Sequence, residues 1–193
     1  MVIFPPLFVD SILIGGFFMC VMTEAEFSDL RTKVEGALDK NQGSMTIMLA
    51  REFDVPEREI FRVYPGEKCV ELDQARWKEL VRSFEGMGKL FVLVSSKAAV
   101  MECQGEFGGF SEAMGYLNVQ TDTLDMHIRE MQIDTVFALI KNSHFDNVET
   151  LSFQFFDPDG WSGFKVFLTF GGKAPSNELR AKFDELVAGF RLN

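Results

Sequence analysis

The stretch 150-TLSFQFFDPDGWSGFKVFLT-169 decides the fold class. Leu151, Phe153 and Phe155 alternate with Thr150, Ser152 and Gln154, and beyond Asp157-Pro158-Asp159-Gly160 the residues Phe164, Val166 and Leu168 alternate in the same way. Successive side chains of a strand point to opposite faces, so each half has one apolar face, and the Pro-Asp-Gly turn folds the halves into an antiparallel hairpin. Period two extends back to Lys89. Leu90 to Val94 and Ala98 to Cys103 are split by Ser95-Ser96-Lys97, and Tyr116 to Gln120, Leu124 to Ile128 and Thr135 to Lys141 follow at close spacing.

Before Lys89 the spacing is helical. Thr23 and Glu26 have capping-box spacing ahead of Phe27, Leu30, Val34 and Leu38. Ile47, Met48 and Phe53 carry a second helix up to Asp54-Val55-Pro56, Pro56 to Val63 a short third, and Trp77, Leu80, Val81 and Phe84 a fourth. After the hairpin, Leu179, Phe183, Leu186, Val187 and Phe190 form a helical stripe behind the cap Ser176. The expected architecture is α+β: helices before about residue 87, then a large antiparallel sheet, with a C-terminal helix packed on it.

With 193 residues and 47% hydrophobic content the chain can bury a full core, and residues 23–193 are read as a single domain. Residues 1–22 are almost wholly apolar, yet they contain Pro5-Pro6, Asp10 and Gly15-Gly16, and no basic residue occurs before Arg31. That makes a poor signal or anchor, and the segment is read as a start placed too early ahead of Met22-Thr23-Glu24. A formal charge of −10 repels a phosphate backbone, which excludes nucleic acid as the main ligand. Cys20, Cys69 and Cys103 are far apart and lack CxxC or CxxCH spacing, which fits a reduced, cytoplasmic setting. With only His127 and His144 present, a metal site of several histidines within one chain is not expected. Twenty-one Phe against two Tyr and two Trp suit a thick core or a cleft for a flat apolar ligand.

Several pieces in order resemble the haem-utilization cytosolic carrier family, relatives of half of the tandem haem-handling and haem-degrading proteins. They are 45-MTIMLAREFDVPEREIFRVYP-65, Met87-Gly88-Lys89, 102-ECQGEF-107, 115-GYLNV-119, His127-Ile128 with 135-TVFALI-140, and 155-FFDPDG-160 leading into 164-FKVFL-168. The resemblance covers about residues 25 to 190. It implies a saddle-shaped antiparallel sheet, a homodimer formed through it, and reversible haem binding in exchange with a donor or acceptor protein. A histidine that some relatives carry at the end of a strand is replaced here by Ser95, and the basic residues that often follow the last strand are reduced to Lys173.

The residues themselves place His127 on the open face of its strand with Asp125 and Arg129, opposite Leu124, Met126 and Ile128. If Thr121-Asp122 is a two-residue loop, Tyr116 stands directly across from His127. Imidazole and phenolate both ligate haem iron. On the residues alone His127 is either an ordinary exposed strand residue or a ligand, and the resemblance favours the ligand. Tyr116 either ligates or supplies a supporting hydrogen bond. Arg129, Lys141 and Lys165 are candidate partners for the haem propionates, and His144, in a polar connection, is expected on the surface with no part in binding.

The helix-turn-helix look of residues 44–63 is not that of a DNA reader, because Arg51, Arg58 and Arg62 are matched by Glu52, Asp54, Glu57 and Glu59. The expected function is an intracellular haem carrier. The alternatives are a haem-degrading enzyme and a protein that keeps the fold without haem.

Overall fold

The computed structural model describes residues 13–14, 17–18, 22–96 and 98–192. Of the apolar extension, only Leu13–Ile14 (β1) and Phe17–Phe18 (β2), paired antiparallel, fall among them; the other residues before Met22 lie outside the described residues.

Three helices open the rest of the chain. Glu24–Lys40 (α1) begins with both halves of the capping box: Glu26 N donates to the Thr23 hydroxyl, and the Glu26 carboxylate accepts from Thr23 N. Its face Leu30, Val34 and Leu38 packs on Leu49 and Ala50 of α2 (Thr46–Glu52) and on Ile60 of α3 (Glu57–Arg62). Cys69–Leu72 (β3) follows, and then Trp77–Arg82 (α4).

Two antiparallel sheets follow where a single large one is expected. β4 (Lys89–Ser95), β5 (Val100–Glu106), β9 (Thr135–Asn142), β10 (Glu149–Phe156) and β11 (Ser162–Thr169) join β3 in a six-stranded sheet of order β3-β9-β10-β11-β4-β5. β6 (Ser111–Ala113), β7 (Tyr116–Gln120) and β8 (Asp125–Arg129) form a separate three-stranded sheet. β3, ahead of Lys89, corrects the expectation that strands begin only there.

The decisive hairpin is at the centre of the large sheet. Phe153 pairs with Val166 and Phe155 with Phe164, and their shared face buries Leu90, Val92, Val136 and Ala138 against α4, the small sheet and α5 (Asn177–Phe190). Ser176 caps α5, accepting from Leu179 N. On the opposite face Phe61 of α3 meets Phe137 and Phe156 at ring-centroid distances of 5.4 and 4.9 Å, which fixes α2 and α3 over one side of the sheet. The helices roof β9 and β10 and leave the face open toward β4 and β5.

Candidate functional site

The open part of that face is a cleft of about 770 Å³ between the helical roof and the sheet. Its floor follows from strand register. Thr150 pairs with Lys141, Gln154 with Lys165, Lys165 with Leu93, Leu93 with Glu102, and Ser95 with Val100, so alternate residues of five strands point into one concavity. Met45, Met48 and Arg51 border it on the roof side. Trp161 and Asp157 stand at one end, and Phe167 and Phe170 at the other, where Phe170 stacks on Phe91 at 3.9 Å.

The floor is polar under apolar walls, and its polar groups are incompletely satisfied. Lys165 Nζ and the Thr46 hydroxyl both donate to Glu57 Oε1 at 2.6 Å, tying the sheet to the roof. Glu57 Oε2, Gln154 Oε1 and Ser162 Oγ are buried without a protein partner, and Gln154 is only 2% exposed. An unpaired buried polar atom costs on the order of 1–3 kcal/mol, so such a floor suits water or a ligand that carries its own polar groups. Lys141 donates to the carbonyls of Gly43 and Asn142, and no carboxylate pairs with it among the described residues. Burial, aided by the charge of Lys165, lowers its ammonium to about 8. Burial acts in the opposite sense on Asp157, holding its carboxyl above the ordinary value against a hydrogen bond from Trp161 N.

Of the residues expected at the site, Lys165 is in the cleft, whereas His127, Tyr116 and Arg129 lie together on the small sheet and do not line it. The expected facing of Tyr116 and His127 is corrected. Tyr116 pairs with Arg129 and accepts a hydrogen bond from its Nε at 3.1 Å, while His127 pairs with Asn118. The loop has four residues, because the Thr121 hydroxyl accepts from the amides of Thr123 and Leu124 and Thr121 N donates to Leu124 O. A shift of two residues keeps every side chain on its face, so the Tyr116 and His127 rings are still diagonal neighbours, 6.4 Å apart.

A polar row crosses the small sheet at His127. Asn118 Nδ2 donates to the Ser111 hydroxyl at 3.1 Å, which orients the amide so that its oxygen, 2.7 Å away, accepts from His127 Nδ1. That bond makes Nδ1 the donor to Asn118, and Nε2 points outward, 3.5 Å from a carboxylate oxygen of Asp125.

Sequence reasoning missed Gln154 and Ser162 as cleft residues, and Glu57 as the buried partner of Lys165 beneath it. The alternation did place Gln154 and Lys165 on the polar face of the hairpin, but a polar face reads as solvated unless a roof is known to cover it. Ser95, where some relatives carry histidine, does line the cleft.

Comparison with known proteins agrees with this architecture. A protein from Agrobacterium tumefaciens is 23% identical with a TM-score of 0.72, over 89% of this chain and 99% of its own. The heme binding protein ChuX is 18% identical with a TM-score of 0.70, over 81% and 97%. The heme degrading enzyme ChuS of Escherichia coli O157:H7 is 20% identical with a TM-score of 0.71, and the match spans 86% of this chain but 47% of that one. No curated protein matches the chain. The family model "Haem utilisation ChuX/HutX" matches residues 70–186, from β3 into α5. The chain therefore belongs to the haem utilisation ChuX/HutX family.

Proposed function

We propose that this protein binds haem reversibly in the cleft and passes it on during haem-iron utilisation in the cytoplasm. The supporting observation is the cleft itself: apolar walls for a macrocycle over a floor with unpaired buried polar atoms and the cations Lys141 and Lys165 for carboxylates. Its volume lies within the roughly 300–1,000 Å³ usual for small-molecule pockets. Bound haem would supply redox-active iron; the chain's part is to hold the macrocycle and shield it from water. Among the described residues no helix is long and apolar enough to cross a membrane.

A second seat has its own support. The outward Nε2 of His127 beside Tyr116 and Arg129 presents an imidazole, a phenol and a cation on one face, and covering that face would complete a haem site there. Ferric haem titration followed by ascorbate tests the function. A stable absorption band is expected for a carrier, a band that decays after ascorbate identifies a degrading enzyme, and no band refutes haem binding. His127→Ala separates the seats, because it leaves cleft binding intact and removes binding at the small sheet.

The family resemblance also implies pairing of two copies through the sheet. Among the described residues β5 pairs with no strand but β4 and ends the six-stranded order; Glu106, at its end, bonds to Thr121 and Thr123, and the edge ahead of it can accept a second β5.

A further inference from the structure

A haem held in the cleft would need a protein ligand to its iron, and the rim carries side chains that could provide one. Of the side chains lining it, the imidazole of His144 and the thioethers of Met45 and Met48 are of the types that ligate haem iron. The lysines belong to the floor, where they serve as cations and not as ligands to iron: Lys165 donates to Glu57, and Lys141 to the carbonyls of Gly43 and Asn142 at 3.1 and 2.7 Å.

His144 is held in place by its backbone rather than by its ring. Ser143 N donates to Val148 O at 2.8 Å and Asn147 N to Ser143 O at 3.1 Å, which closes a tight loop between β9 and β10. The Asp146 carboxylate accepts from the amides of Val148 and Gly172 and fastens that loop to the end of β11. From the roof side Gly43 presses against it: a Cβ on Gly43 would lie 2.9 Å from Ser143 O and 3.1 Å from His144 Cα. The ring rests on Phe145 with centroids 3.8 Å apart, and among the described residues neither of its nitrogens makes a hydrogen bond or ion pair to protein. A fixed backbone with a ring nitrogen unengaged at the edge of an apolar cleft can present a lone pair to iron. His127, by contrast, stands on the small sheet and does not line the cleft.

We propose that His144 is the axial ligand of haem iron in the cleft, an inference that rests on the cleft being the haem seat. The test titrates the full chain with ferric haem and, separately, with iron-free protoporphyrin IX, which can use the walls and floor but not a ligand to iron. His144→Ala is expected to weaken ferric haem roughly tenfold or more, the range over which support of a bound metal acts. It should also shift the Soret band, leave protoporphyrin binding unchanged, and regain the wild-type spectrum on addition of imidazole. His144→Tyr should give a different, phenolate-type spectrum.

The assignment is overturned if His144→Ala matches wild type with ferric haem, if it weakens both ligands alike, or if Met45→Leu or His127→Ala produces the spectral change instead. Failure of the seat has its own signature. Wild-type protein that takes up neither ligand refutes the cleft and this inference together, whereas uptake of both ligands with His144→Ala indistinguishable from wild type refutes the ligand alone.

Discussion

The amine of Lys141 lies on the cleft floor without a carboxylate partner, and its titration gives stability a defined pH dependence. Its ammonium is brought to about 8 from the ordinary 10.5. Between these values the unfolded chain holds a proton that the folded chain has released, so this group makes the fold more stable as pH rises through the window. Below it both states are protonated and the cost of burying the charge is constant. The Cys69 thiol and the Tyr64 phenol, both pushed up by burial, act oppositely, because the folded chain keeps protons that the unfolded one loses. The difference between wild type and Lys141→Met cancels those two groups. Chemical denaturation from pH 7.5 to 10.5 should show that difference moving steadily in favour of wild type. A difference independent of pH would mean that Lys141 titrates normally. The positions of Lys141 and Lys165 on strands were legible in the sequence from the apolar residues around them. The engagement of Lys165 by Glu57, 108 positions away, was not, because no local signal pairs them.

At the level of elements, Glu57 joins α3 to β11, and its removal tests how the roof is held. The Glu57 side chain is fully buried and that of Lys165 is 9% exposed. Glu57→Ala strands the ammonium in the interior and should cost about 3–5 kcal/mol in urea denaturation, while adding Lys165→Met should recover most of the loss. Recovery is expected because a buried pair is costly chiefly when broken. A loss under about 1 kcal/mol for Glu57→Ala would show that water reaches Lys165 and that the floor is open there. Elements governed by near neighbours were legible: the Thr23–Glu26 box, the Ser176 cap and the alternation of β10 and β11 depend on residues within a few positions. β3 was missed because Cys69-Val70-Glu71-Leu72 is short and stands as a strand only by pairing with β9, Cys69 against Leu139. The division into two sheets was hidden for the same reason. β7 and β8 alternate like any other strands, and which sheet they join is settled by long-range contacts. The register error at His127 was a turn error, since the Thr121 hydroxyl builds a four-residue loop where two residues would have sufficed.

For the whole molecule, the edge of β5 that meets no strand among the described residues sets the expected assembly. Val100 and Met101 at its start are 62% and 58% exposed, an apolar pair at a sheet edge of the described residues that a monomer would normally blunt with charge. Sedimentation should find a dimer at micromolar concentration, and Val100→Lys with Met101→Lys should give a folded monomer. A wild-type monomer would refute the assembly, and a dimer that survives both substitutions would move the interface to another surface.

The helical roof has a hydrophobic cluster of its own, Leu30, Val34, Leu49 and Ile60 among it, which shares no residue with the main core of the large sheet. Its attachment therefore rests on the small Phe61 patch and on polar contacts: the Glu57–Lys165 pair, Arg58 to Asp134 and to Gly160 O, Lys141 to Gly43 O, and Asn142 to Gln42 among them. Such a unit can lift by local unfolding at a free energy below that of melting the sheet. A guest that touches roof and floor together adds its binding energy to that hinge. Loaded and empty protein would then share one scaffold and differ in how often α2 and α3 breathe, so cargo could leave without the fold being dismantled.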